Sequence, residues 1–138
     1  MNNILQIGEN WGLLLIRIGL GVVFLVHGYP KMTGLWHDVK GSRQSLTKSI
    51  ERLGLPFPFH LAILVGTIEF VGGGMLVLGL WARVAALGLV VIMLVATGRN
   101  FIQKGFIGSA DFPFSILTTL LGLIFLGSGS ISLDGLLF

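Results

Sequence analysis

Four long apolar runs dominate the pattern of hydrophobic and polar positions along the chain. Each run is about 17–22 residues long, which matches the hydrocarbon core of a bilayer at the rise of an α-helix. Open strands cannot satisfy their backbone hydrogen bonds in lipid, and the runs lack the alternation typical of a membrane barrel. The pattern therefore predicts four membrane-spanning helices, at about residues 11–29, 59–80, 84–101 and 112–128.

The polar segments between these runs differ in length. The turn at 80–83 is short, so the second and third helices are expected to form an antiparallel hairpin. The first loop is long, and within it residues 42–53 place Leu46, Ile50 and Leu53 at the spacing of one helical face. Its charged residues fall largely on the other faces, which is typical of an amphipathic helix at the membrane interface.

The fold class that follows is all-α: a four-transmembrane-helix bundle with an interfacial amphipathic helix in the first loop, in a single domain over residues 1–138. Composition agrees, because 54% of the 138 residues are hydrophobic and 11% are charged, whereas soluble domains carry about 25% charged residues. The N-terminal segment lacks a basic region, so the first apolar run is expected to be a retained helix and not a removed signal peptide. The lipid bilayer is the predicted partner.

The basic residues favour one end of this bundle. Formal net charge is +3, and Arg83 is the one basic residue outside the apolar runs on the side of the termini. The opposite side holds Lys31, Lys40, Arg43, Lys48, Arg52 and Lys104, with Arg99 at its border. The positive-inside rule then predicts cytoplasmic loops one and three in a bacterial inner membrane, with both termini outside. This distribution does not resemble a nucleic-acid footprint, and nucleic acid is not an expected partner.

Two charged residues lie inside the apolar runs. Arg17 falls within the first helix and Glu69 near the middle of the second. A charge at such depth costs a few kcal/mol, so it normally has a partner. Their depths differ by roughly 8 Å on the predicted bounds, and we expect an ion pair or one shared polar network. Two interpretations stay open: a structural pair that fixes the bundle, or a site for a ligand, a proton or a quinone.

Histidines and a border arginine extend this candidate ligand-binding or buried polar network. His27, near the end of the first helix, is a candidate proton shuttle or hydrogen-bond partner of a quinone carbonyl, or else an ordinary polar residue at a helix end. Arg99 is predicted to face the same polar seam. His37 and His60 are not at a helical spacing with His27, and no metal site is predicted.

Other polar and small residues are assigned structural roles. Gly21, Gly66 and Gly73 are expected to allow close helix packing, and Asp134 to cap or anchor the C-terminal segment. The chain has no cysteine, which excludes disulfides and thiol redox chemistry. No nucleophilic triad or paired-carboxylate site is visible, so no catalytic residue is predicted.

The order of several short motifs resembles the DoxX family of membrane proteins over nearly the whole chain. These motifs include the run from Leu15 to Gly21, His27-Gly28 with Lys31, Gly54-Leu55-Pro56, Glu69 with Gly72-Gly73, Arg83 after Gly79, Gly105-Phe106 and Ser132-Leu133-Asp134. The resemblance implies a four-helix, multi-pass protein of the bacterial cell membrane. Relatives in that family include a subunit linked to thiosulfate:quinone oxidoreduction and members associated with membrane oxidoreductase complexes. One departure is Arg99-Asn100, where many relatives carry a histidine.

The functional hypothesis is therefore a DoxX-like subunit or anchor associated with redox chemistry near the quinone pool, with quinone as the candidate cofactor. It would be a non-catalytic subunit beside a membrane or soluble oxidoreductase subunit, and it could also assemble as a homo-oligomer. The alternatives are a small-metabolite transporter, a lipid-binding membrane protein, or a purely structural assembly partner.

Overall fold

The computed structural model describes residues 2–34 and 42–137. Its helices are α1 (Asn2–Thr33), α2 (Ser42–Arg52), α3 (Pro58–Leu78), α4 (Ala82–Lys104), α5 (Asp111–Leu126) and α6 (Leu133–Leu137), and the described ranges contain no strand. Four segments are long and apolar enough to cross a membrane: Gln6–Thr33, Pro58–Leu78, Ala82–Lys104 and Phe106–Leu126. The predicted all-α fold with four membrane helices is confirmed.

The first helix is longer than the sequence predicted. It begins at Asn2 and runs through Pro30 to Thr33, whereas the predicted helix covered residues 11–29. Proline lacks a backbone N–H and normally interrupts the interior of a helix. Here Pro30 lies in the last turn, and its carbonyl still accepts a hydrogen bond from the Gly34 N–H at 2.9 Å. The extension brings Lys31 into the helix.

Backbone-to-backbone packing joins α1 to α3. A Cβ atom added to Gly28 would lie 2.7 Å from the Gly66 carbonyl oxygen, and one added to Gly73 would lie 2.8 Å from the Gly21 carbonyl oxygen. Real Cβ atoms do not come this close to backbone oxygens, so only glycine permits the approach. The predicted packing glycines Gly21, Gly66 and Gly73 all lie in this contact, which Gly28 completes. Small residues at helix contacts are typical of membrane bundles.

A tight turn connects α3 to α4. Gly79 ends α3 in the left-handed conformation (φ 67°), and the Leu80 N–H donates to the Met75 carbonyl at 2.9 Å. This is the usual glycine-terminated helix end. Trp81 follows with φ 47°, and α4 begins at Ala82. The predicted antiparallel hairpin is therefore present.

The last membrane helix is reached through an irregular turn over Phe106–Ala110. Within it Ile107 is extended (ψ 125°) and Gly108 is left-handed (φ 77°). The Asn100 side-chain amide donates to the Ser109 carbonyl at 3.1 Å, which ties this turn to α4. The membrane helices then share one core, formed by Leu20, Phe24, Leu76, Ala82, Ala85, Ala86, Leu89, Ile116, Leu120 and Leu123.

The amphipathic helix in the first loop is α2, and its bounds match the prediction closely. It packs against α3 and α1. The two ends of the bundle carry different connecting segments. The terminal end holds the α3–α4 turn and the segment 127–137, and the loop end holds α2 and the α4–α5 turn. His37 and Lys40 lie outside the described residues.

Candidate functional site

A buried ion pair links α1 to α3 on the loop-end half of the bundle. The Lys31 Nζ atom lies 2.7 Å and 2.6 Å from the two carboxylate oxygens of Glu69. The Glu69 side chain is 2% exposed and that of Lys31 is 17% exposed. Side chains on a helix lean toward its N-terminus. Because α1 and α3 run in opposite directions, Lys31 and Glu69 lean toward each other.

The predicted pairing of Arg17 with Glu69 is wrong. Arg17 lies beside Gly79 at the end of α3, whereas Glu69 lies beside Gly28. The two charges are therefore separated by roughly ten residues of α3, about 15 Å along the helix axis. The N-terminal lean also sends Arg17 toward the terminal end and Glu69 toward the loop end. Arg17 and Glu69, which were expected to share one polar network, therefore belong to two separate networks.

Arg17 holds the C-terminal segment instead. Its two terminal nitrogens donate to the backbone carbonyls of Ser128 and Ile131, each at 2.6 Å, and the residue is 1% exposed. Its Nε atom is buried and has no hydrogen-bond partner among the described residues. The tail segment therefore closes the terminal end over a buried guanidinium.

Asp134 caps α4 from that same segment. Its carboxylate accepts from the Trp81 N–H at 2.7 Å and the Ala82 N–H at 3.2 Å, while its own N–H donates to the Gly79 carbonyl. Burial alone would raise the pKa of the Asp134 carboxyl. The backbone hydrogen bonds from Trp81 and Ala82, with Arg17 nearby, outweigh burial and bring the pKa below its ordinary value.

A cavity of about 600 Å³ lies beside the Lys31–Glu69 pair. Four elements line it: α1 through Lys31, α2 and the turn after it, α3 from near its start to its middle, and α4 from its middle toward the loop end. The lining residues are Lys31, Ser42, Ser45, Leu46, Ser49, Ile50, Leu53, Leu55, Leu61, Val65, Glu69, Val91, Ile92, Met93, Val95, Ala96, Arg99 and Asn100. The walls are mostly apolar, and the charged groups are concentrated on α1, α3 and α4.

Arg99 is the charged residue that α4 contributes to this cavity. Its Nε atom is buried and has no hydrogen-bond partner, and no carboxylate pairs with its guanidinium, among residues 2–34 and 42–137. A buried donor without an acceptor is costly unless something else satisfies it. Since Lys31 and Glu69 neutralise each other, Arg99 leaves the cavity with an excess positive charge.

The two histidines that the structure describes, His27 and His60, lie apart from the cavity. His27 is exposed, and its Nδ1 atom bonds to the Val23 carbonyl oxygen of its own helix at 2.8 Å. His60 is also exposed, beside the rings of Phe57 and Phe59. His27 therefore does not join Glu69 and Arg99 in one network. In the part of the chain that the structure describes, no group of three acidic or histidine residues could hold a metal ion.

Comparison with known proteins identifies the fold at family level. The DoxX family model matches residues 12–104, about two thirds of the chain. The chain belongs to the DoxX family. Every residue that lines the cavity falls within the part of the chain that the DoxX model matches, whereas the tail residues bound by Arg17 follow it.

Two relatives extend the similarity beyond the DoxX match. A Bacillus subtilis protein named "Putative oxidoreductase CatD" is 28% identical over 138 residues, covering 100% of this chain and 92% of its own. An "Uncharacterized membrane protein Rv3486" from Mycobacterium tuberculosis is 37% identical over 132 residues, covering 86% of this chain and 77% of its own. No solved structure matches this DoxX chain.

The sequence reasoning missed two components of the site. Lys31 was placed in the first loop, although the DoxX-like motif already included it. The serines of α2 were also overlooked. Ser42, Ser45 and Ser49 recur at the spacing of one helical face, beside the predicted apolar stripe, and this periodicity could have placed them on the same surface.

Proposed function

We propose that this DoxX protein is a membrane-embedded binding subunit for redox chemistry, and that its cavity holds the head of a quinone-type molecule. One observation carries the proposal. The cavity combines apolar walls with a buried ion pair, Lys31–Glu69, and an arginine, Arg99, whose buried Nε lacks an acceptor among the described residues. Mostly apolar cavities with a few convergent polar groups are typical of small-molecule sites.

The donors present suit the carbonyl oxygens of a quinone. Arg99 on α4 offers guanidinium N–H groups, and Lys31 on α1 offers an ammonium group beside Glu69. Hydrogen-bond donors are therefore present on two walls of the cavity. A volume of about 600 Å³ lies within the usual range for ligand cavities. Cysteine chemistry is excluded, because the chain contains no cysteine.

A bound quinone would supply an acceptor of electrons and protons. The residues of this chain would bind and orient its head, and the apolar walls would exclude water from it. Glu69 is the carboxylate in the cavity wall, and Lys31 fixes both of its oxygens.

We infer a separate oxidoreductase partner for the electron transfer itself. The described residues include no metal-binding cluster, and the sequence shows no nucleophilic site. The oxidoreductase designation in the name of the Bacillus subtilis relative supports a role near such an enzyme. Homo-oligomerisation stays a prediction of the sequence.

Extraction of bound quinone tests the proposal. Wild-type protein purified in mild detergent should retain quinone, whereas Arg99→Gln and Glu69→Gln should lose most of it. The melting curve of Arg99→Gln should change little, and Glu69→Gln should melt at a lower temperature because Lys31 is left unpaired. Lys104→Gln is the matched control, because it removes the same charge from the same helix at an exposed residue that does not line the cavity. Equal quinone in all four proteins, or none in wild type, would refute quinone binding. Recovery of a membrane lipid instead would favour the lipid-binding alternative.

A further inference from the structure

The cavity has an exposed apolar margin. Three of its lining residues are more than half exposed: Val91 at 62%, Val95 at 55% and Leu53 at 51%. Val91 lies near the middle of α4 and Val95 about one turn closer to the loop end. In a membrane-spanning helix these positions face the hydrocarbon core. The α4 side of this margin therefore faces lipid, and Leu53 lies at its loop end.

This margin lies between α2 and α4. The helix α2 packs against α3 and α1, and close packing against α4 is absent from the described helix contacts. Arg43 stabilises that arrangement, because its guanidinium lies 5.3 Å from the centre of the Phe59 ring at the start of α3. Thus α2 is fixed to the α1–α3 side, and α4 forms the opposite wall of an opening.

The charged groups of the cavity lie away from this apolar margin. Glu69 is 2% exposed and lies behind the apolar margin, with Lys31 on the α1 side and Arg99 on α4. A ligand that satisfies both regions needs a head that accepts hydrogen bonds and an apolar chain. The head would contact the charged groups while the chain extends past Val91 and Val95 into the bilayer.

We propose that the ligand enters this cavity sideways from the bilayer, through a portal formed by Leu53 on the α2 side and Val91 and Val95 on α4. The ligand class is a single-chain amphiphile with a hydrogen-bond-accepting head. This inference rests on the proposed ligand site and adds the route of entry. Residues in the portal wall therefore control the access of membrane-dissolved ligands.

Blocking the portal tests the route. Val95→Trp would place a bulky ring in the margin, whereas Leu94→Trp would add the same ring at a neighbouring residue of α4 that is 60% exposed and does not line the cavity. Each protein is reconstituted in vesicles that contain a decyl-tailed benzoquinone, and bound quinone is quantified over time after rapid re-isolation. We expect uptake of the tailed quinone to be about tenfold slower in Val95→Trp, because the ring narrows the portal and raises the barrier to entry, and unchanged in Leu94→Trp.

A tail-less benzoquinone added from the aqueous phase separates the two proposals. If wild-type protein binds neither probe, the proposed ligand site is wrong. If wild type binds both probes but Val95→Trp and Leu94→Trp take up the tailed quinone equally fast, the site stands and the portal is overturned.

A reversible block covers the case in which Val95→Trp misfolds. The chain has no cysteine, so Val95→Cys or Leu94→Cys introduces a single thiol. Each folded protein is modified in detergent with a bulky methanethiosulfonate reagent and then reconstituted. Modified Val95→Cys should take up the tailed quinone slowly and recover after reduction, whereas the Leu94→Cys protein should not respond. Equal uptake before and after modification at Val95 would contradict the portal.

Discussion

The Lys31–Glu69 pair makes a quantitative prediction about stability. Both carboxylate oxygens of Glu69 contact the Lys31 ammonium within 2.7 Å, and the carboxylate is 2% exposed. Removing one partner of a buried pair leaves an uncompensated charge, which typically costs about 3–5 kcal/mol. Because the Lys31 side chain retains 17% exposure, we expect Glu69→Leu, which strands the lysine, to cost less than Lys31→Met, which strands the carboxylate.

A double-mutant cycle measures the coupling. Lys31→Met, Glu69→Leu and the double variant are unfolded reversibly in mixed micelles, and their free energies of unfolding are compared. The double variant should recover about 1–3 kcal/mol relative to the sum of the single losses. Arg17→Met in a parallel cycle with Glu69→Leu is the control, because those residues lie about 15 Å apart along the axis. That cycle should be additive within about 0.5 kcal/mol. Additive losses for Lys31 and Glu69, or strong coupling of Arg17 to Glu69, would refute this assignment of partners.

Three further predictions concern the rest of the bundle. Gly21→Ala should destabilise the protein by about 1–3 kcal/mol, because the new methyl group would meet the backbone of α3. Gly12→Ala is the control on the same helix and should not destabilise it, because a Cβ atom there has no neighbour within 4 Å. Equal thermal melts of the two variants would contradict the close packing at Gly21. Asp134→Asn should weaken the α4 cap by about 1 kcal/mol, because an amide keeps one of the two oxygens that accept from the Trp81 and Ala82 N–H groups. Since the folded-state pKa of Asp134 is lowered, its stabilising contribution is present at neutral pH and is lost as the pH falls below about 4. In acid titrations of stability, the wild type and Asp134→Asn should therefore converge below that pH. A constant difference in stability across the titration would contradict this role of Asp134. A cysteine at Ser45 should resist an impermeant thiol reagent in intact cells if the loop end is cytoplasmic, and ready labelling would reverse the orientation.

Helix positions were largely predictable from the sequence, because lipid imposes a length and an apolar composition on each span. The amphipathic helix was equally predictable, since Leu46, Ile50 and Leu53 repeat at a helical spacing, and all three line the cavity. The end of α1 was not predicted correctly, because the apolar run stops at Tyr29 whereas the helix continues through Pro30 to Thr33.

The partners of Arg17 and Glu69 could not be predicted from the depth of each residue in the membrane alone. Counting residues from predicted helix ends put Arg17 and Glu69 within reach of each other, but ignored the opposite lean of their side chains. The actual partner of Glu69 came from a residue assigned to a loop. The partners of Arg17 are backbone carbonyls of the C-terminal segment, which no side-chain pattern in the sequence can reveal.

The cavity could not be read from the sequence, because it depends on how the helices pack. Among the described residues α2 packs against α3 and α1 and makes no comparably close packing with α4, which is a property of the tertiary arrangement. Arg99 was singled out as a border residue, yet only the structure shows that its Nε is buried without an acceptor among the described residues.

An experimental density map of the wild-type protein, purified from membranes in lipid nanodiscs, tests the central claim most directly. We expect an elongated density in the cavity, with its head against Arg99 and the Lys31–Glu69 pair and its chain passing Val95 toward the bilayer. A cavity filled by the protein's own side chains, or Arg99 satisfied by a carboxylate of this chain, would contradict a ligand site between α2 and α4.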